Sequence, residues 1–303
     1  MKKLFLLCMA LCLLFLGCEK EGVYNPSKKI KRISYQENNG PKYPDSEWSW
    51  EKNLLKKIQY FNGFTYSYDA RYSYEKNQLV KVEESNGWFW KVSYNSNLYD
   101  KVEYFDTKGT IQITVKFTYD KTKVSRMDIT FYDYDDIYKN FTSLQGGFMS
   151  NLLSKELIQS FERIVLKSKN KAAIPTTYKV TYTYNKDNIK EQVMEYNESD
   201  EDSSFSYKST VKYEKYDNKL NPMYRFYQMG EGIGFVSPKN NPLEVIVETY
   251  FNYVYFGEVE TDFERYTISC DYSYDGQFPT EAVETQRNSE GNILRLTTFI
   301  DYQ

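Results

Sequence analysis

Apolar and polar side chains alternate along much of the chain. In residues 71–74 (Arg-Tyr-Ser-Tyr) and 179–184 (Lys-Val-Thr-Tyr-Thr-Tyr), aromatic or aliphatic residues occupy every second position and polar residues lie between them. Because successive side chains of a β-strand point to opposite faces, this period of two predicts antiparallel strands that are buried on one face. The pattern begins near Ile33 and continues to the end of the chain.

An approximate repeat accompanies the alternation. Each copy has an aromatic residue, a turn containing Asn, Asp or Lys, and an aliphatic residue in the next strand, as in residues 74–82, 94–102 and 184–193. Asn and Asp accept tight-turn geometry, so each copy predicts a β-hairpin. The sequence therefore predicts a mainly β fold, an antiparallel meander of repeated hairpins that forms a large curved or layered sheet.

One interval, from about residue 137 to 171, has a longer period. Leu153, Leu157, Phe161 and Ile164 recur at spacings of four, four and three residues. This spacing is typical of an amphipathic helix whose apolar face packs against other structure. We therefore predict one amphipathic helical insertion at about 137–171, which covers a face or an end of the sheet.

The first residues of the chain form an export signal. Lys2 and Lys3 precede an apolar run at residues 4–16, which has the length of a signal-peptide core and is too short to span a bilayer as a helix. The run ends in Leu-Phe-Leu-Gly-Cys, which resembles the bacterial lipobox, with Phe15 where Leu is usual. The resemblance implies that Cys18 receives the lipid, and acyl chains supply about 0.8 kcal/mol of membrane affinity per buried methylene.

These features divide the chain into three parts. We predict a lipoprotein signal peptide at residues 1–17, a lipidated N-terminus and flexible tether at 18–32, and a β-sheet domain at 33–303 that contains the helical insertion at about 137–171. The tether prediction rests on a polar stretch that contains Gly22, Pro26 and Ser27. The protein is then attached to the cell outer membrane by lipid and is periplasmic or exposed at the cell surface.

Composition excludes several classes of function. The chain contains no histidine, which is the commonest general base and zinc ligand in enzymes. Its formal net charge of -3 provides no positive field for the phosphates of nucleic acid. We therefore expect no nucleic-acid partner, no cofactor and no metal site, and the chain contains no phosphate-binding glycine loop.

The four tryptophans are the candidate ligand-binding residues. Trp48 and Trp50 form one i, i+2 pair and Trp88 and Trp90 form another, so each pair shares one face of a strand. Flat rings presented side by side can stack on sugars or bind protein, because tryptophan is enriched in binding hot spots. Large aromatic residues also fill the core of a sheet, and the sequence leaves both readings open.

Carboxylates are the remaining candidates for chemistry. Asp133, Asp135 and Asp136 lie close together, and a second acidic cluster occupies residues 198–202. A glycosidase needs two carboxylates that face each other across a sugar, and clustering along the chain does not provide that geometry. Cys270 lies on a predicted strand with no histidine to activate it, which favours a buried, inert thiol.

Three segments carry a resemblance to a known family. They are residues 216–223 (Tyr-Asp-Asn-Lys-Leu-Asn-Pro-Met), residues 237–242 (Ser-Pro-Lys-Asn-Asn-Pro) and the hairpin that includes residues 272–275 (Tyr-Ser-Tyr-Asp). Together with the lipobox, they resemble a family of Bacteroidetes lipoproteins with a YD-repeat-like domain of unknown function. The resemblance implies an anchored, mostly antiparallel sheet protein, and it implies no catalytic residues.

The expected function follows from these points. We expect a lipid-anchored cell-envelope protein that is not an enzyme and that acts as a binding or scaffold protein for a glycan or protein ligand. The alternative is a carboxylate-dependent glycan-processing enzyme with Asp133 or Asp135 as its acid. A second alternative is a purely structural component of the envelope.

Overall fold

The computed structural model describes residues 21–132, 176–199, 203–226, 236–255 and 258–303. These ranges contain sixteen β-strands and no helix: β1 Ile30–Glu37, β2 Lys42–Glu51, β3 Leu54–Asn62, β4 Thr65–Glu75, β5 Gln78–Glu84, β6 Phe89–Asn95, β7 Leu98–Phe105, β8 Ile111–Asp120, β9 Lys123–Phe131, β10 Thr176–Asn185, β11 Asn188–Ser199, β12 Ser203–Leu220, β13 Asn240–Tyr255, β14 Glu258–Asp275, β15 Phe278–Asn288 and β16 Ile293–Tyr302. In the described part of the chain, no helix has the length and apolar character needed to cross a membrane.

The sixteen strands form a closed antiparallel barrel. Each strand pairs with its neighbours in sequence, and β1 pairs with both β2 and β16. The expectation of a large curved or layered sheet is therefore wrong, because the first strand meets the last and neither remains a sheet edge. Closure satisfies the main-chain hydrogen bonds that an open sheet leaves exposed along its edges. The predicted helical insertion at about 137–171 lies outside the described residues.

The barrel is apolar inside and polar outside. On β4, Ala70 and Tyr72 are buried while Arg71 and Ser73 beside them are exposed. On β10, Tyr178 and Val180 are buried in the same way, with exposed polar residues between them. Burial of one large apolar side chain contributes about 1.5–3 kcal/mol, so the filled interior is the main source of stability.

The interior contains two apolar clusters. The main core draws buried side chains from nearly every strand between β1 and β12, together with Tyr24 and Ile300 near the two chain ends. A second core lies between β12, β13 and β14, where Val211, Val247 and Cys270 pack together. Both clusters lie on the inward face of one continuous sheet.

Ion pairs join neighbouring strands on the outward face. Lys57 of β3 contacts Asp69 of β4 at 3.5 Å, and Lys212 of β12 contacts Glu248 of β13 at 2.8 Å. Pairs of this kind add little stability at a water-exposed surface. Their position shows that the outer wall is charged along the middle of the strands.

Candidate functional site

Residues 21–29, which we call the N-terminal arm, lie across one end of the barrel. The turns β2–β3, β4–β5 and β6–β7 are at this end, which we call the arm end. The Glu21 N–H donates to the Asn97 carbonyl at 3.0 Å, and the Leu79 N–H donates to the Gly22 carbonyl at 2.9 Å. The sequence predicts a flexible tether at 18–32, whereas the structure places the described part of that segment against hairpin turns and, from Ile30 onward, in β1.

A buried carboxylate fixes the start of the arm. Glu21 is only 7% exposed, and its carboxylate accepts hydrogen bonds of 2.6 Å from the Tyr99 N–H and from the Tyr119 hydroxyl. Burial raises the pKa of Glu21, and the two hydrogen bonds and the charge of Arg225 offset part of that rise. The carboxylate is therefore held in place at an energetic cost that protonation relieves.

Tyr24 joins the arm to two of the predicted binding residues. Its ring is 2% exposed and lies 6.3 Å from the ring of Trp48 and 5.6 Å from the ring of Trp50. Phe226, from the loop that connects β12 to β13, packs 4.7 Å from Trp48, and the Tyr24 hydroxyl donates to the Pro222 carbonyl at 2.6 Å. The arm, this loop and the first tryptophan pair thus form one packed cluster beneath the arm end.

The second tryptophan pair also faces the interior. Trp88 and Trp90 are 8% and 4% exposed, and their rings lie 5.1 and 4.2 Å from the ring of Tyr104. The Tyr104 hydroxyl donates to the carboxylate of Glu84 at 3.0 Å. Each pair therefore shares one face, as the spacing predicts, and that face is the inner one. Their role in ligand binding stays a prediction, while their observed contacts are packing contacts.

A groove of about 600 Å³ lies between the start of β11 and the end of β12, near the arm end. It forms because β11 and β12 stop pairing after Glu191 and Lys212, so the end of β12 diverges from the start of β11. Asn240 at the start of β13 holds the opening, since its N–H donates to the side-chain oxygen of Asn188 at 2.9 Å. Residues 185–191, 212–216, 239 and 240 line the groove.

Two tyrosines give the groove an aromatic wall. The rings of Tyr213 and Tyr216 are stacked with centroids 5.8 Å apart and planes 15° apart. The Tyr216 hydroxyl donates to the Ile189 carbonyl at 2.7 Å, which fixes the ring across the groove. Lys190 and Glu214 add exposed charges of opposite sign at its margin. Both rings are partly buried, and Tyr213 also packs against the two apolar cores.

The structure does not test most of the other candidate residues. Cys18, Asp133, Asp135 and Asp136 lie outside the described residues. Cys270 is 5% exposed, and burial raises its pKa, so the thiol stays protonated and unreactive at neutral pH. Within the described ranges, no group of three or more carboxylate or cysteine side chains is placed to hold a metal ion.

Sequence reasoning did not identify the arm or the groove. Glu21 follows Cys18 closely in a short charged stretch, and nothing local shows that its partners are Tyr99 and Tyr119, far along the chain. The groove depends on the divergence of two strands, which is a property of the sheet. One signal could have pointed to the arm. The Asn-Pro pair at residues 221–222, within the segment 216–223 quoted above, begins the loop that packs on the arm.

Comparison with known proteins gives likeness of fold only. No family model and no curated protein matches the chain. A porin-like protein from Bacteroides uniformis matches with a TM-score of 0.51 and 11% identity, covering 94% of this chain and 100% of that protein. A porin-like protein from Bacteroides vulgatus covers 91% of this chain and 99% of its own, with a TM-score of 0.37 and 9% identity. The first of these matches supports the barrel fold described above.

Proposed function

We propose that this protein is a non-enzymatic binding protein, anchored to the outer membrane by lipid, whose barrel stands in water. The observation that carries the proposal is the charged outer wall. Arg71, Lys91, Lys116 and Lys179 are exposed near the middle of β4, β6, β8 and β10, and inward-facing apolar residues flank each of them.

This wall does not suit a barrel embedded in lipid. Membrane-spanning barrels carry an outward apolar band about 25 Å tall, and each Arg or Lys on that face costs about 2–4 kcal/mol at the middle of the bilayer. The present barrel has the opposite polarity, with large aromatic side chains such as Tyr99 and Tyr178 buried in its interior. The likeness to a porin-like protein supports a location at the outer membrane. The charged outer wall supports attachment to that membrane by a lipid, with the barrel outside the bilayer.

The arm supports attachment through Cys18. Glu21 is fixed to the barrel, and the three residues from Cys18 to Glu21 span at most about 11 Å. A lipid on Cys18 would therefore hold the arm end close to the membrane surface. The barrel axis would point away from the bilayer, and the groove near the arm end would lie close to the membrane.

A fractionation experiment tests the anchor. We expect the wild-type chain to sediment with outer membranes and to incorporate a fatty-acid analogue at Cys18. Replacement of residues 1–18 by a signal peptide that is cleaved without lipidation should release a folded protein into the periplasm. Cys270→Ala is the matched control and should behave as wild type. An unacylated protein that stays in the membrane through a carbonate wash would show an inserted barrel and contradict the proposal.

We further propose that the groove binds a glycan. Stacked rings surrounded by amide and charged groups suit the apolar face and the hydroxyls of a sugar. We expect Tyr216→Leu to weaken binding to an oligosaccharide panel at least tenfold, and Tyr216→Phe to retain binding because the ring remains. Thermal unfolding of both variants checks the fold. Wild-type protein that binds no saccharide, or equal binding by a folded Tyr216→Leu variant, would exclude the groove as a glycan site.

A further inference from the structure

At the end opposite the arm, β14 extends past the end of β15 as the outer strand of a sheet in which β11, β12, β13 and β14 remain paired; we call this extension the ribbon. β13 pairs with β14 as far as Tyr255 with Glu258, whereas the pairing of β15 with β14 stops at Tyr266 with Asn288. Among the described residues, the stretch 258–265 of β14 therefore pairs on one side only. Every second N–H and C=O of an antiparallel edge points outward, so this stretch offers main-chain hydrogen bonds to another strand.

The two faces of this edge have different chemistry. Alternate residues of a strand share a face, so Glu258, Glu260, Asp262 and Glu264 lie on one side of the ribbon. The other side carries Val259 and Phe263, which are 64% and 47% exposed, together with Thr261 and with Arg265, which lies 3.8 Å from Glu248 of β13. Tyr250 of β13 extends this apolar side, with its ring 4.6 Å from that of Phe263 and half its surface exposed.

The acidic face works against pairing between two copies of the chain. An antiparallel pair of β14 edges with matching faces places even-numbered residues opposite even-numbered residues. Glu258 then faces Glu264 and Glu260 faces Asp262, and like charges directly opposite each other destabilise a strand pair. The same carboxylates attract a strand that carries positive charges at alternate positions.

We propose that residues 258–265 bind an extended basic segment of a protein partner by strand addition. The partner's main chain pairs with the edge of β14 that β15 does not cover. Its Lys or Arg side chains lie opposite the carboxylates, and its intervening apolar side chains cover Val259 and Phe263. Main-chain hydrogen bonds supply affinity in this mode of recognition, and the alternating side chains supply specificity. The inference requires that the ribbon reach water, as the proposed function has it, and it does not require lipid on Cys18.

The test uses the mature chain, residues 18–303, with or without lipid. The probe is a nine-residue peptide in which Lys alternates with Val, and the comparison peptide has Glu in place of Lys. We expect the Lys peptide to bind and to slow amide hydrogen exchange in residues 258–265, with affinity that falls as salt rises. The Glu peptide should not bind.

Charge-reversal variants locate the binding. Glu260→Lys combined with Asp262→Lys should lower the affinity for the Lys peptide at least tenfold. The same variant should gain affinity for the Glu peptide. Asp271→Lys combined with Asp100→Lys is the matched control, because both are exposed acids on strands and both lie outside residues 258–265. It should bind as wild type.

Three results would overturn the inference. The first is equal binding of the Lys peptide by a folded reversal variant. The second is binding without protection of residues 258–265, which would mean diffuse charge attraction. The third is protection of these amides in the free protein, which would mean that other residues of the same chain already cover the edge.

Discussion

Gly22 shows how tightly a single residue is fitted at the arm end. Its φ is +72°, and a Cβ added there would lie 1.9 Å from the Tyr94 hydroxyl oxygen. That hydroxyl cannot move away freely, because it donates to the Leu79 carbonyl at 2.6 Å. The residue therefore needs both the left-handed conformation and the absence of a side chain.

Substitution of Gly22 should loosen the arm. We expect Gly22→Ala to lower the free energy of unfolding by about 1–3 kcal/mol, because backbone strain adds to the clash with Tyr94. Gly276→Ala is the matched control, since its φ is +67° and no atom lies within 4 Å of the added Cβ. Denaturant unfolding of both variants measures the difference. Equal losses would show that the contact with Tyr94 does not matter.

Glu21 should make the docking of the arm sensitive to pH. Burial raises its pKa in the docked state above the ordinary value of about 4.3. The neutral acid is therefore favoured when docked, and the arm is held most firmly below that ordinary value. The stabilisation is lost as pH rises through the raised pKa. Hydrogen-exchange protection of the Leu79 and Tyr99 amides, which donate to the arm, should fall over that range.

Glu21→Gln is the variant that isolates this effect. Its side-chain oxygen can accept the hydrogen bonds from Tyr99 and Tyr119 and carries no charge at any pH. We expect the protection of the two amides to become independent of pH in this window. The local readout is needed because burial also raises the pKa of Glu84, elsewhere in the barrel. An unchanged pH dependence in the variant would assign the effect to another group.

At the scale of elements, the hairpins could be predicted because the sequence pattern of a hairpin involves only neighbouring residues. The repeat at residues 74–82 places its turn at Lys76 and Asn77, and β4 ends at Glu75 while β5 begins at Gln78. Lys76 and Asn77 both have positive φ, as a tight turn between twisted strands requires. Side-chain period and turn chemistry therefore located strands and turns without reference to the rest of the chain.

The docked position of the N-terminal arm could not be predicted in the same way. Its polar composition predicts a flexible segment, yet Tyr24 and Glu21 are buried by side chains that come from β2, β7 and β8 and from the β12–β13 loop. The spacing of the tryptophans likewise shows that each pair shares one face of a strand. It does not show whether that face is exposed to solvent or buried. These properties depend on contacts between distant parts of the chain, which a pattern of neighbours does not encode.

At the scale of the whole molecule, closure is the property that the sequence left undetermined. An alternating strand has the same pattern in an open sheet, in a layered sheet and in a barrel wall. The contact of β1 with β16 joins residues about 270 positions apart, such as Ile33 and Ile300. It depends on the accumulated twist and tilt of all sixteen strands, to which each hairpin contributes a small part.

A closed sheet should unfold as one unit, and Cys270 can report this. Its thiol lies in the second core, whereas Trp48 and Trp90 lie in the main core. We expect thiol labelling of Cys270 and tryptophan fluorescence to change at the same denaturant concentration, in a chain without Cys18. The thiol should resist labelling until then, because it is buried and protonated. Labelling at a lower concentration would mean that the second core opens separately.

Closure also brings the end of β16 beside the N-terminal arm. The Gln303 N–H donates to the Lys29 carbonyl at 2.9 Å, so the last residue lies beside the arm. If the protein is anchored through Cys18, as we propose, a reporter fused after Gln303 would lie against the lipid headgroups and be shielded from antibodies. An epitope inserted at Gly109, in the turn between β7 and β8 at the opposite end, would then project away from the membrane, since no atom lies within 4 Å of a Cβ added there.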